Sequence, residues 1–373
     1  MPKTETRDAI ASIKEPRCFF EKQLEREEPL SFATAERLCG SAAELLALRP
    51  WEFLGDQDLI LIEDPQSQHI CYCSVMGALG EVFSLHVYVG AEGYRLFRTM
   101  AAGKPMTPGE FFASQRGVSV EFVKSSELTP PDREVLRAFN YQTKRGGMAP
   151  MFRALRPRYH PWYATEQEGK LLARSMQAVI AFCRSKPVGD SSSYWDGADV
   201  YPLFVPTAES QNDYKIKMVS APEPPIAPPQ VPEVDETLLA KVRERNYAVA
   251  GALEVDHFFG AGMVGRKDER KECLRMGLAT DALSGFVFQP EIGSALDSTG
   301  EILLRVVLNA ILGGRFVPQE IRVRHREFEV LLEGLACRLG SSVRVAKRLP
   351  ALDQAKNHLL AMMGDSGVFV PGE

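Results

Sequence analysis

The first half of the chain contains apolar runs that predict strands, separated by residues typical of turns. Three such runs, 59–62, 69–76 and 82–89, are joined by short polar or glycine-rich links, which favours an antiparallel meander. Helix starts follow at Thr107 and Thr129, where a proline comes next and an acidic residue stands at the third helical position. These signals together predict an α+β lobe.

Two helices are predicted ahead of this meander. Apolar residues near 17–26 indicate a short helix, and the segment 31–48 indicates a longer one. Within the longer segment, Ser41 and Glu44 have the spacing of a capping box ahead of the apolar residues. After the meander, another helix is predicted from Thr165 to about residue 184, with a second capping box at its start.

The stretch 141–163 differs in composition from the rest of this lobe. It contains two lysine and arginine clusters, five aromatic residues and three prolines, with no aspartate or glutamate. Arginine forks and flat aromatic rings are the groups that contact phosphates and unpaired bases. The candidate anion-binding residues are Arg153, Arg156, Arg158, His160 and Trp162.

A structural interpretation of this stretch stays open beside the binding one. Pro157 and Pro161 stiffen the backbone, so the stretch also fits a strap that seats the helix after Thr165. In that case its arginines pair with acids of the charged N-terminus, namely Glu21, Glu25, Glu27 and Glu28.

A proline-rich segment divides the chain. Residues 221–232 contain six prolines, which is typical of an extended linker, and a strand pair is predicted just before it. We therefore expect an N-terminal lobe over residues 1–186, the strand pair and linker over 187–234, and a C-terminal lobe over 235–373.

The C-terminal lobe has a regular order of predicted elements. Strands are expected at 252–258, 273–280 and 285–292, followed by alternating helices and strands and a last helix that opens at Pro350. The order from residue 252 is β-β-β-α-β-α-β-α. This order resembles the ribonuclease-H-like fold, and the expected fold class is α/β in two lobes.

The resemblance to ribonuclease-H-like nucleases implies carboxylates that hold two Mg²⁺ or Mn²⁺ ions for phosphoryl transfer. The acids that match such positions are Asp256, Glu301 and Asp353, although Glu301 is also explained as a helix cap. Asp281 fits a turn between two strands and is the further candidate, so the ligand set of the nuclease alternative is Asp256, Asp281 and Asp353. The strand in which a further carboxylate is expected, at 321–325, carries arginines instead. We therefore expect a non-catalytic binding or assembly protein without a cofactor, with a metal-dependent nuclease as the alternative.

A second group of cations lies in the same lobe and comprises Arg322, Arg324, Arg326, Arg344, Lys347 and Arg348. Such a group fits either a solvated sheet face or a surface that binds an anion. The expected partner is a protein, or a nucleic acid held by a local basic patch.

Taken as a whole, the chain is similar to uncharacterised bacterial proteins built from paired domains of unknown function. The similarity rests on Trp51 ahead of the first strand, the turn at Met76-Gly77, the segment 151–163 and the element 349–353. It covers most of the chain and implies no particular activity.

Two further motifs are read as structural. Gly260, Gly262 and Gly265 have the spacing of a dinucleotide-binding motif, but charged residues follow them, so a glycine-rich loop is predicted. The six histidines show no spacing typical of a zinc site.

Composition narrows the class of protein further. Hydrophobic residues make up 45% and charged residues 25%, and the net charge of −5 gives no overall attraction to nucleic acid or anionic lipid. The seven cysteines form no C-x-x-C pair, which suits a reducing compartment.

No apolar run has the length of a membrane span, and the N-terminus lacks the apolar core of a signal peptide. We expect a cytoplasmic protein with no membrane partner.

Overall fold

The computed structural model describes residues 28–67, 69–141, 147–185, 200–207, 210–220, 231–267 and 269–363. The chain divides into two compact units. The first comprises residues 1–104, 114–225 and 266–270, and the second comprises residues 105–113, 226–265 and 271–373. Helices and strands are mixed in both, which confirms the α/β class. None of the described helices is long and apolar enough to cross a membrane.

The elements between residues 28 and 220 include the predicted meander and the predicted helices after Thr107 and Thr129. In chain order they are α1 (Phe32–Leu48), β1 (Ile60–Glu63), β2 (Ile70–Met76), β3 (Phe83–Val89), α2 (Gly90–Ala101), α3 (Pro108–Ser114), β4 (Gly117–Lys124), α4 (Pro130–Ala138), β5 (Met148–Leu155), α5 (Glu166–Ser185), β6 (Val200–Thr207) and β7 (Ser210–Ser220).

One seven-stranded sheet organises the first unit, in the order β5-β4-β3-β2-β1-β6-β7. Neighbouring strands are antiparallel, except that β1 and β6 are parallel. The helices α1 and α5 contribute to the core on one face, where Leu38, Val87 and Met176 are fully buried. On the other face, Tyr94 of α2 stacks on Tyr72 with 4.3 Å between the ring centroids. Successive strand side chains therefore pack on both faces of the sheet, one against α1 and α5 and the other against α2.

Helix α1 occupies the predicted segment 31–48, but its cap is not the predicted one. Its N-cap is Ser31, whose side-chain oxygen accepts a hydrogen bond from the Thr34 amide at 3.2 Å. Ser41 and Glu44 lie inside the helix, so the capping box predicted there is wrong. Glu166, at the start of α5, accepts a hydrogen bond from the Ser31 amide at 2.7 Å. The helix start is thus held by a local cap at Ser31 and by a contact with Glu166, and only the second is absent from the local pattern.

The stretch 141–163 contains a strand that the sequence pattern did not predict. β5 pairs with β4 in antiparallel register along its whole length. Most of its residues are buried, so no alternation of apolar and polar positions marks it. Pro150 lies within it, and proline is tolerated because β5 is an edge strand of the sheet.

Some predictions fall outside the described residues. These are the short helix near 17–26, most of the proline-rich linker at 221–232, and the predicted acidic partners Glu21, Glu25 and Glu27.

The elements after residue 230 include helices capped at their start by Asp235 and Ser298 and one that ends at Gly340. In chain order they are α6 (Glu236–Glu244), β8 (Ala248–Val249), β9 (Ala252–Val264), β10 (Glu272–Asp281), β11 (Glu291–Gly293), α7 (Thr299–Gly314), β12 (Phe316–Val317), β13 (Glu320–Val323), α8 (Arg326–Leu339), β14 (Ser342–Val345) and α9 (Pro350–Met362).

A five-stranded sheet organises the second unit, in the order β11-β10-β9-β13-β14. β11, β10 and β9 are antiparallel neighbours, whereas β9, β13 and β14 are parallel. One face packs against α7 and α8 through residues such as Leu253 and Ile321. The opposite face holds a smaller cluster in which Phe258, Met276 and Leu352 of α9 pack together.

Gly260 and Gly262 lie within β9, so the prediction of a glycine-rich loop is wrong for both. A Cβ atom on Gly260 would lie 2.9 Å from the terminal methyl of Met363 and 3.3 Å from a methyl of Leu274. Glycine is therefore present because side chains approach the strand closely, and no phosphate cradle is needed to explain it.

The third predicted strand is much shorter than expected. Instead of 285–292, only Glu291–Gly293 forms β11. The side chain of Asp281 accepts hydrogen bonds from the amides of Leu283 and Ser284 and so holds a turn at the end of β10. Pro290 has no amide hydrogen to donate to a ladder, which limits the strand to the residues that follow it.

Candidate functional site

Arg153 is buried on β5, with 9% of the residue exposed. Its two terminal nitrogens donate to the two carboxylate oxygens of Asp132, each at 2.8 Å. Asp132 is the third residue of α4 and also caps the helix through Thr129. The guanidinium carbon lies 5.0 Å from the centroid of the Tyr163 ring, whose hydroxyl is 2.9 Å from that of Thr129. Arg153 thus fastens β5 to the start of α4.

The ionisation of Asp132 follows from these contacts. Burial alone raises the pKa of its carboxyl group, but the hydrogen bonds and charge of Arg153, with the bonds from Thr129, bring the pKa below its ordinary value of 3.8. The carboxylate therefore stays charged inside the fold. Because Arg153 donates to both oxygens of this carboxylate, the arginine acts as a structural group.

Arg156 is tied to the beginning of α5. Its Nε donates to one carboxylate oxygen of Glu168 at 2.7 Å, and the other oxygen accepts from the amide and hydroxyl of Thr165, both at 2.9 Å. The bond from the Thr165 amide to Glu168 is one half of the capping box predicted there. Burial raises the pKa of Glu168, but Arg156 and Thr165 together bring it below the ordinary value. Glu168 therefore serves the helix and the arginine at once.

The residues after Arg156 fold back along β5. Ala154 and Trp162 exchange backbone hydrogen bonds at 2.7 and 3.0 Å. Arg158, which has a positive φ of 72°, and His160 are half-buried, as is Trp162. The acids that hold Arg153 and Arg156 come from α4 and α5. Anion binding by this stretch stays a prediction.

A second group of charges lies between β9 and α9. Glu254 and Asp256 are 1% and 2% exposed, and their spacing of two puts both on the α9 face of the strand. Glu254 accepts a hydrogen bond from the Leu352 amide at 3.0 Å. Asp256 lies 3.5 Å from Nζ of Lys356, which is 4.6 Å from the Phe258 ring centroid. These two carboxylates therefore anchor the first turns of α9.

Asp256 differs in ionisation from Asp132. Burial raises the pKa of its carboxyl group, and this effect outweighs the opposing influences of Lys356, the His257 amide, Arg324 and His325. The charge of Asp256 is thus incompletely compensated by its surroundings.

Asp353, on the first turn of α9, forms an ion pair with Arg324, which follows β13. The other oxygen of Asp353 lies 3.4 Å from the Leu349 amide, at the start of the helix. Arg324 belongs to the segment 321–325, in which the resemblance to nucleases implies a carboxylate. Arg324 neutralises Asp353 here, whereas a two-metal site needs a second carboxylate at this position.

Asp281 does not join Asp256 and Asp353. It is paired in register with Leu253, which faces α7 and α8, whereas Asp256 is paired with Leu278 on the α9 face. Asp281 therefore belongs to the opposite face of the sheet. Across the described ranges, no group of three or more histidine, cysteine, aspartate or glutamate residues could hold a metal ion. The role of these three aspartates as metal ligands stays a prediction.

The six cations from Arg322 to Arg348 named above lie on β13, on β14 and just after them, and we call them the basic edge. Because β13 and β14 are parallel, their carboxyl ends meet, and the Ala346 amide donates to the Val323 carbonyl at 2.8 Å. Ligands of open parallel sheets bind outside the carboxyl ends of the strands. The basic edge therefore lies where such sheets receive ligands.

Half of the basic edge is already paired. Arg322 and Arg344 share Glu320, with distances of 3.0 and 2.6 Å, and Arg324 is held by Asp353. The other three cations, Arg326, Lys347 and Arg348, are exposed and form no ion pair with any described residue. Their charges are directed to solvent and are open to an external anion.

Sequence reasoning missed two members of this region, Glu254 and Lys356. The signal was present, because β9 begins with alternating apolar and acidic residues although it lies in the middle of a sheet. Acids on a central strand require a covering partner, and the spacing of Leu352 and Lys356 by four provides one apolar and one cationic residue on the same side of α9.

Comparison with known families divides the chain in two. Residues 36–191 match a family model described as a domain of unknown function, DUF7309, and residues 238–360 match a second such model, DUF6930. The predicted similarity to paired domains of unknown function is confirmed. No curated protein matches the chain.

Proposed function

We propose that this chain, whose two parts match the DUF7309 and DUF6930 models, is a non-catalytic binding protein. Its second unit holds nucleic acid on the basic edge. The observation that carries the proposal is the exposure of Arg326, Lys347 and Arg348 together at the carboxyl ends of two parallel strands. Phosphate groups are the anions that such a row of cations recognises, and each contact releases condensed counterions.

We also propose that the second unit is a ribonuclease-H-like domain. Three antiparallel strands come first in the chain, two parallel strands follow on the other side of β9, and helices cover both faces. This arrangement agrees with the fold that the order of elements resembles. Proteins of one fold carry many functions, so the activity must be argued from the residues themselves.

Those residues favour binding over cleavage. Lys356 lies beside Asp256, and Arg324 is paired with Asp353, so each candidate metal ligand on the α9 face already has a cation. A divalent ion would be repelled by these two cations unless it displaced them from the carboxylates. The carboxylates are better explained as anchors of α9 than as ligands.

The experiment is a fluorescence anisotropy titration of labelled single-stranded DNA and RNA at several salt concentrations. We expect binding to weaken as the salt concentration rises. In the triple variant Arg326→Gln, Lys347→Gln, Arg348→Gln, the salt slope, which is the slope of the logarithm of the affinity against the logarithm of the salt concentration, should be smaller by about 2, at about 0.7 per lost phosphate contact. The matched control removes three exposed cations elsewhere, with Lys104→Gln, Lys241→Gln and Arg245→Gln. Equal losses in both variants, or no binding at low salt, would contradict the proposal.

A metal-dependent nuclease is the second candidate. It has in its favour that Asp256 and Asp353 both contribute to the α9 side of the sheet. If it is correct, Mn²⁺ raises the melting temperature, Asp256→Asn removes that increase, and the bound nucleic acid is cut. If Mn²⁺ changes neither stability nor the length of the nucleic acid, this candidate is excluded.

We propose a cytoplasmic location. Support comes from Cys39, Cys71, Cys73, Cys183 and Cys273, which are buried free thiols among the described residues. Burial raises the pKa of Cys39 and of Cys71 to about 12, which keeps these thiols protonated and unreactive at neutral pH.

A further inference from the structure

β7 forms one edge of the large sheet of the first unit. Among the described strands its neighbour is β6, and the order of the sheet ends with β7. An edge strand presents backbone donors and acceptors along its outer side, which is a template for another extended chain. At eleven residues, β7 is long for such an edge.

The side chains of β7 divide between the two faces of the sheet. Tyr214, Ile216 and Met218 alternate onto one face, and Lys215 and Lys217 onto the other. Ile216 is 51% exposed and Met218 is 47% exposed. Lys215 and Lys217 are exposed as well. The edge therefore has one apolar face and one cationic face, both open to a partner.

The apolar face of β7 continues into a cleft. Tyr214 forms one wall of a cleft of about 490 Å³, and the other walls come from α1 and α5. Gly40, Ile180 and Ala181 give part of its lining small or apolar surfaces, and the rest is polar: Arg37, Ser41, Glu44, Gln177 and Arg184. A volume of this size accommodates one or two side chains of a bound segment.

The part of β7 beside the cleft is held in place. The Tyr214 ring lies 5.6 Å from that of Phe204 and packs against the main core of the first unit. β6, in turn, is fixed to β1 in parallel register. A strand held in this way needs little further ordering when a second chain pairs with it, and that lowers the cost of binding.

We propose that β7 accepts an extended acidic segment of a partner protein, which adds to the sheet as an eighth strand. Alternate apolar residues of that segment pack on Ile216 and Met218 and reach the cleft beside Tyr214. The intervening residues are aspartate or glutamate and lie opposite Lys215 and Lys217. Main-chain hydrogen bonds give such strand addition its affinity, and the two faces give its specificity. This inference is independent of nucleic-acid binding by the second unit.

The charges favour an acidic partner over a second copy of the same chain. When two copies of β7 pair in antiparallel fashion around Ile216, Lys215 of each lies opposite Lys217 of the other. Like charges directly opposite each other destabilise a strand pair. Lysines on an edge also hinder pairing with neutral strands, so the edge is selective as well as open.

The probe is a capped peptide of about eight residues that alternates glutamate and valine, long enough to span about 26 Å of strand. A matched peptide with lysine in place of glutamate serves as the comparison. Binding to the full chain is measured by isothermal titration calorimetry at low ionic strength, with light scattering to report the mass of the protein. The variant is Lys215→Glu with Lys217→Glu, and the control variant is Lys241→Glu with Arg245→Glu, since those side chains are exposed on and just after α6.

We expect the acidic peptide to bind the unaltered chain and the control variant, and to bind the β7 variant about tenfold more weakly. The β7 variant should instead bind the lysine peptide, a gain that a misfolded chain cannot produce. The proposal is overturned if both peptides bind the unaltered chain equally, if neither binds, or if the control variant loses as much affinity as the β7 variant. Self-association of the chain that the β7 variant abolishes would also overturn it, in favour of a second copy.

Discussion

The two buried carboxylates Asp132 and Asp256 each face a cation, yet their pKa values move in opposite directions. Asp132 receives both nitrogens of Arg153 at 2.8 Å and further hydrogen bonds from Thr129, and its pKa is lowered. Asp256 faces Lys356 at 3.5 Å, and burial raises its pKa. A buried acid is stabilised as a charge only when directed donors replace the water that it loses.

The difference assigns the two pairs different roles. Arg153 and Asp132 form a closed pair that joins β5 to α4, so changing either partner leaves a buried charge behind. Asp256 and Lys356 form a looser pair beneath α9, and the charge of Arg324, a member of the basic edge, also acts on Asp256. The first pair maintains the fold, whereas the second lies beside a surface that is open to a ligand.

The largest expected effect is that of Arg153→Met. It leaves Asp132 buried and without its main donor, so we expect the free energy of unfolding of the first unit to fall by about 3 to 5 kcal/mol. Urea unfolding followed by tryptophan fluorescence measures this, since Trp51 and Trp162 belong to the first unit. The control is Arg116→Met, whose pair with Glu92 is exposed and should contribute under about 1 kcal/mol. Similar losses in the two variants would remove the contrast.

The next effect is a pH dependence of opposite sign at the two sites. Asp132 has a lowered pKa in the folded state, so its contribution to stability is present above 3.8 and is lost as pH falls through the folded-state pKa. Asp256 has a raised pKa, so stability increases as pH falls through that raised value toward 3.8. Unfolding curves of Asp132→Asn and Asp256→Asn, each compared with the unaltered chain across this range, should differ from it with opposite slopes. Slopes of the same sign would show that the two environments are alike.

A smaller effect is expected from Asp256→Asn at neutral pH. The substitution removes a charge whose burial is only partly compensated, while the asparagine oxygen still accepts from the His257 amide, 2.9 Å from the present carboxylate. We expect the free energy of unfolding of the second unit to change by about 1 kcal/mol or less. Hydrogen exchange of the α9 amides tests this locally. A loss as large as that of Arg153→Met would mean that the Lys356 pair is closed as well.

The smallest effect on stability is expected from Arg344→Ala. The Arg344 side chain is 62% exposed, and its pair with Glu320 is screened by solvent, so unfolding should change by under about 1 kcal/mol. The same substitution should leave the salt slope of nucleic-acid binding almost unchanged, since Glu320 already neutralises Arg344. A decrease of the slope by about 0.7 would show that Arg344 contacts a phosphate despite this pair.

Local chemistry predicted much of the fold. The helix starts at Thr129 and Thr165 were predicted from four residues each and are present, because the groups that cap a helix lie next to it in sequence. The order of elements after residue 252 was predicted from apolar runs and helix start signals, which are local as well. The third strand, however, is shorter than expected.

Contacts between distant residues could not be predicted in this way. β6 joins the first sheet by parallel pairing with β1, about 140 positions away in sequence. The sequence pattern indicated a strand pair there but gave no register or neighbour. A structural role for Arg153 was one of the two interpretations of the sequence, but its expected partners were N-terminal acids, whereas the partner is Asp132 on a different element.

The most direct test of the account follows one labelled single-stranded oligonucleotide by anisotropy over time, with the full chain and Mn²⁺ at low salt. We predict a stable rise that persists with Mn²⁺ and is reduced when Arg326, Lys347 and Arg348 are replaced by glutamine. That result means that the second unit binds through the basic edge and does not cut. No rise, or a rise followed by a decay that depends on Mn²⁺ and on Asp256, would contradict this account.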